Sequence, residues 1–201
     1  MYEWTNDSIE QSYKIFNELS LDWGFKLNEP ATEEDLREYE LTTGITLPPS
    51  YRLFLLKHNG AHLFLSKSGS LSTTYSWWAD SGILVFGTAA LTEYRNFVYK
   101  LSDNSDRRLP LPIAYLGRIG TGDFCSLDMN NSTDFESPVL DCNPDYPSDE
   151  WLNSVIANSF EDWLKEMFSR VISHKSFPEY WFKDTLYDCS LCSRSQEGNQ
   201  D

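Results

Sequence analysis

Residues 32–60, T32-EEDLREYELTTGITLPPSYRLFLLKHN-G60, decide how this chain is read. Thr32 is a helix N-cap by residue type, and Asp35 three positions on completes a Ser/Thr-x-x-acid capping arrangement. Glu33, Glu34 and Asp35 then lie at the positive end of the helix dipole. Leu36 and Tyr39 recur on one face, and Gly44 stands where a left-handed C-terminal cap is needed. Pro48 and Pro49 forbid continuation, because a residue preceding proline is pushed out of the α region while proline itself suits a first helical turn. A second helix therefore starts near Pro49, with Tyr51, Phe54, Leu55 and His58 as one buried stripe and Asn59-Gly60 as its stop.

Outward from this block the chain alternates in kind. Residues 5–20 are predicted to form an amphipathic helix with Ile9, Tyr13, Phe16 and Leu19 on one face and Asp7 and Glu10 as a capping pair. The segment 21–31 reads as a connection. AHLFLS (61–66) and ILVFGT (83–88) read as strands, residues 89–101 as a helix, and 113–131 as two strands about a glycine turn; SPVLDC (137–142) adds one further strand. Leu109-Pro-Leu-Pro112 is a break. Ser148 is expected to cap a short helix carrying Trp151, Leu152, Val155 and Ile156. Ser159 caps a final one with Phe160, Trp163, Leu164, Met167, Phe168, Val171 and Ile172 at helical spacing.

The order of these signals resembles the SUKH superfamily, in its Smi/Knr cell-wall-regulator branch. The shared features are the capped acidic helix, Gly44, Leu47-Pro48, Tyr51, Phe54-Leu55, Asn59-Gly60, Gly122-Asp123, Leu127-Asp128, Pro138-Val139, and Ser159-Phe160 with Trp163-Leu164. The resemblance runs over about residues 30–170. It implies an α+β fold, a single domain with a mixed, mostly antiparallel sheet and helices packed around it, and it carries over no catalytic residue. The expected organisation is an N-terminal helical extension at 1–28, the SUKH-like domain at 29–172, and a C-terminal docking segment and flexible tail at 173–201.

Composition narrows the function classes. At 201 residues and a net charge of −15, the chain repels nucleic-acid phosphates and anionic membranes, and a basic protein partner is favoured. No apolar run is long enough to span a bilayer and no signal-peptide pattern is present, which points to the cytoplasm. A monomer is the expected state. Cys125 and Cys142 read as small core residues, and Cys189-x-x-Cys192 is a lone half-site without further ligands.

Motifs that could carry chemistry fall short one by one. Gly117-x-x-Gly120-x-Gly122 has neither the order nor the following helix of a phosphate loop. Asp141-x-Asn143-x-Asp145 starts like a calcium loop, but Tyr146 replaces the turn glycine and Leu152 the closing glutamate. His58, His62 and His174 show no metal spacing. No catalytic residue, cofactor or metal is therefore expected. What stands out is that no lysine or arginine occurs between Arg118 and Lys165, a span holding ten carboxylates. Asp123, Asp128, Asp134, Glu136, Asp141, Asp145, Asp149 and Glu150 are the candidate docking residues, expected on loops at one side of a sheet, with Trp77 and Trp78 as candidate aromatic anchors. The family resemblance implies first an immunity protein that binds and neutralises a cognate polymorphic toxin, often a nuclease, here expected to dock on the acidic surface, with a non-catalytic regulatory scaffold or interaction hub of the same fold as the alternative.

Overall fold

The computed structural model describes residues 2–21, 23–66, 82–91, 93, 110–116, 124–133, 135–143, 147 and 149–174. Along them run α1 (Trp4–Glu18), β1 (Trp23–Leu27), α2 (Glu33–Thr43), α3 (Pro49–Lys57), β2 (Ala61–Ser66), β3 (Ile83–Val85), β4 (Leu111–Leu116), β5 (Phe124–Leu127), β6 (Val139–Cys142), a 3₁₀ turn (Trp151–Asn153), β7 (Val155–Ala157) and α4 (Phe160–His174). The 32–60 block folds as its residue types require. Asp35 N–H donates to Thr32 Oγ1 at 3.1 Å, and Thr32 N–H donates back to Asp35 Oδ2 at 2.8 Å, so both ends of the capping box are made. Gly44 closes α2 at φ 67°, and Pro49 opens α3, which buries Tyr51, Phe54 and Leu55.

Among the described residues the sheet is a seven-stranded meander in which spatial order equals chain order. All six pairings are antiparallel, giving the expected α+β build. β1 is additional to the expected strands: it lies inside the 21–31 connection and pairs with β2. Opposite Phe25, β2 carries two residues, Leu63 and Phe64, and Phe64 adopts φ 56° to make this bulge. The break expected at Pro112 is instead inside β4, beside a register shift at Ile113 where the ladder is locally interrupted and a missing N–H is tolerated. Every residue of β4 and β5 is buried.

Helices α1, α3 and α4 bury an aromatic layer. Phe25 of β1 lies 5.7 Å from Phe168 of α4, centroid to centroid, and 5.2 Å from Phe64 of β2; Phe16 of α1 stacks on Phe25 at 5.8 Å. Such pairs add about 0.5–1.5 kcal/mol each beyond their area. Phe160 of α4 sits 5.0 Å from Phe54 and 4.9 Å from Tyr51, which ties α4 to α3. The first residues are welded in as well: Tyr2 is buried, its hydroxyl donates to Ser50 O at 2.8 Å, and Lys57 Nζ donates to Tyr2 O at 2.6 Å. Trp4–Glu18 and Trp23–Leu27 thus supply a helix and a strand of the common core and sheet.

Two local expectations change. The helix expected over Trp151–Ile156 is a 3₁₀ turn followed by β7, because Val155 and Ala157 pair with Leu140 and Val139. At the start of α1, Glu3 occupies the N-cap without a side-chain hydrogen bond, so the Asp7/Glu10 capping pair does not form, and Leu19 is exposed. Residues 88–91 are helical; apart from Glu93, the rest of the helix expected over 89–101 lies outside the described residues, as does everything after His174.

Candidate functional site

In an antiparallel meander successive connections fall at alternate ends of the sheet, and this divides the acid-only span. Leu127, Val139 and Ala157 are in register at one end, so the β5–β6 loop with Asp128 and Glu136 lies there. The β6–β7 connection with Asp149 and Glu150 lies at the other end. Strands of four residues separate the ends by roughly 13 Å. The expectation of a single acidic side is replaced by two smaller groups.

At the first end Asp128, Glu136 and Glu161 are held by the fold, while Asp162 in the first turn of α4 is exposed. Asp128 is 1% exposed; its Oδ1 accepts from the N–H groups of Asn130 at 3.0 Å and Asn131 at 3.4 Å, and its Oδ2 from Asn131 Nδ2 at 2.6 Å. Glu136 reaches across to α3, where Oε1 accepts from Ser50 N–H at 2.9 Å and Oε2 from Ser50 Oγ at 2.7 Å. Ser50 is the second residue of α3, and its N–H is one of the donors a helix cannot satisfy internally. Glu136 is therefore a tertiary cap, with its negative charge at the positive end of the helix dipole. Glu161, near the start of α4, accepts from Trp4 Nε1 at 3.1 Å and pairs with Lys165 at 3.0 Å. Between Asp128 and Glu136, Phe135 is 80% exposed, a residue sequence reading passed over.

Toward the other end, Asp141 is half-buried in β6, opposite Cys125 of β5. Burial pushes its carboxyl up from 3.8 to about 6. Its Oδ1 is buried and hydrogen-bonded to nothing among the described residues. Asp149 and Glu150 are exposed just before the 3₁₀ turn, which is fastened by Trp151 Nε1 donating to Asn143 O at 2.8 Å. The remaining candidates, Trp77, Trp78, Asp123, Asp134 and Asp145, lie outside the described residues.

A second acidic surface lies on α2, whose first turn carries Glu33, Glu34 and Asp35. It is partly neutralised. The Arg52 guanidinium beside Glu33 holds that carboxyl below its usual range, and Arg52 also approaches Glu40 at 3.8 Å. Among the described residues, no group of three or more His, Cys, Asp or Glu is placed to hold a metal ion. His58 is shifted below its ordinary pKa by burial and then by Lys57. No helix among them is long and apolar enough to cross a membrane.

The class defined by this fold is an α+β domain in which one antiparallel meander supports a layer of helices. Within that class the chain belongs to the SMI1 / KNR4 family (SUKH-1), whose model matches residues 30–166, more than half of its length. No curated protein matches it. The matched stretch starts after α1 and β1, although both are built into the same sheet and core.

Proposed function

We propose that this protein is an immunity protein, acting by binding in the cytoplasm and not by catalysis, and neutralising a cognate basic toxin such as a nuclease. Membership of the SMI1 / KNR4 family is the observation that carries the reading. The net charge of −15 and the absence of lysine and arginine between Arg118 and Lys165 support it, because a nuclease must present a basic cleft to its substrate. Asp149 and Glu150 are the exposed carboxylates of that span best suited to steer such a partner, with Asp145 beside them in sequence. Asp128 and Glu136 are poor choices for mutagenesis, since each holds a loop or a helix end.

A toxin-type gene encoded next to this one would supply the partner, and co-expression with its product tests the reading. Wild-type protein should protect the cells, and Asp145→Lys/Asp149→Lys/Glu150→Lys should slow association by about tenfold or more at low salt, with the difference shrinking at high salt. Full protection by a charge-reversed variant whose association rate is unchanged would sink the acidic placement. Failure of the wild type to protect would sink immunity and leave the regulatory scaffold of the same fold.

A further inference from the structure

We infer that Phe135 is the aromatic anchor by which the protein seats a cationic partner protein, an inference that rests on the binding function proposed above. Its ring is 80% exposed, the most exposed of the large hydrophobic side chains described. Fully burying such a ring removes about 150–250 Å² from water, so leaving it in solvent forgoes a substantial stabilisation.

The loop that carries it is fixed at both ends. Asp128 gathers the N–H groups of Asn130 and Asn131 on the entering side. On the leaving side Thr133 Oγ1 accepts from the N–H groups of Phe135 at 3.3 Å and Glu136 at 3.0 Å, and Thr133 N–H donates to Glu136 O at 2.8 Å. The Glu136 carboxylate then clamps the loop to Ser50. A ring whose own N–H and whose flanking residues are held by hydrogen bonds loses less conformational entropy on binding, which is what a hot-spot residue requires.

Chemistry around the ring defines the partner. The loop lies within the span that has no lysine or arginine, Asp134 precedes the ring in sequence, and exposed Asp162 opens α4 at the same end of the sheet, so a complementary surface is cationic. The partner then offers an apolar pocket rimmed by lysine or arginine, whose cations also favour the face of an aromatic ring.

The test uses the full chain and, purified and catalytically inactivated, the toxin-type protein against which co-expression shows protection, with binding followed by calorimetry and association–dissociation kinetics. Phe135→Ala should bind about 30-fold more weakly, mainly through faster dissociation, with an unchanged melting temperature, while Phe135→Trp should bind nearly as the wild type does. If Phe135→Ala binds within twofold of wild type while the charge-reversed variant associates slowly, the anchor is refuted and the immunity reading stands. A melting temperature lowered by Phe135→Ala refutes the anchor too, since the ring then serves the fold. If the wild type does not bind this toxin, the immunity reading and the anchor fall together.

Discussion

Asp141→Asn should stabilise the protein near neutral pH and do progressively less as the pH falls. Asp141 is half-buried, and its carboxyl is raised from 3.8 to about 6 by burial alone. Between these values the unfolded chain has released the proton and the folded chain retains it. The unfolded state therefore binds fewer protons, and stability falls as pH rises through this window. Above about 6 both states are ionised and the full cost of the buried charge is present; below about 3.8 both are protonated and the cost is gone. At about 1.36 kcal/mol per pH unit, the gap amounts to about 3 kcal/mol, or roughly 6–12 °C in melting temperature for a protein of this size. Asparagine keeps the shape but cannot ionise. Urea unfolding of both proteins from pH 3.5 to 7 should show the variant's advantage growing by about 3 kcal/mol and levelling off above about pH 6. A stability difference that stays flat across that range would refute the burial of this carboxyl, whatever its absolute size, because a constant offset reports packing or the amide itself.

Three further substitutions test contacts between parts of the chain distant in sequence. Glu136→Ala removes two charge-assisted hydrogen bonds to Ser50 and should cost about 2 kcal/mol in denaturant unfolding, with Ser50→Ala costing less because the N–H partner survives; a loss below about 0.5 kcal/mol would show that Glu136 does not cap α3. Gly87→Ala places a Cβ 2.3 Å from the backbone O of Asn59, which cannot swing aside, so the melting temperature should drop by several degrees, corresponding to about 1–3 kcal/mol; an unchanged melting curve would mean that the Asn59–Gly87 approach is looser than described.

Local signals in this sequence were sufficient wherever the physics is local. The Thr32–Asp35 box, the left-handed Gly44 and the Ser159 cap, where Asp162 N–H donates to Ser159 Oγ at 3.0 Å, are made by residues three or four apart. β1 and β7 were missed because their conformation is imposed from outside. Trp23–Leu27 contains a glycine and is a strand through β2, while Trp151, Leu152, Val155 and Ile156 satisfy a helical spacing that pairing with β6 overrides. The same holds for the candidate site. Composition announces the acidic span, but the role of Glu136 is set by Ser50, 86 residues earlier, and no pattern in the sequence links the two. Phe135 offered a weak signal: a lone aromatic among polar residues, without the alternation or helical period that would bury it.

The division of the acids between two ends changes what the net charge can do for binding. Of the described carboxylates in the span, Asp128, Glu136 and Glu161 already face protein donors, Asp141 carries a charge only above about pH 6, and Asp162 is the exposed one at the Phe135 end. Roughly 13 Å separates the loop of Phe135 from the connection holding Asp149 and Glu150. That exceeds the Debye length of about 8 Å at physiological salt, so a partner seated at one end feels the other end only weakly. Steering and anchoring are thereby separable. Charge reversal at Asp149 and Glu150 should act on association and vary with salt, whereas truncation of Phe135 should act on dissociation and be nearly independent of salt. A variant combining both changes should lose binding additively, because the two ends share no side-chain partner among the described residues and lie beyond the distance over which such effects couple.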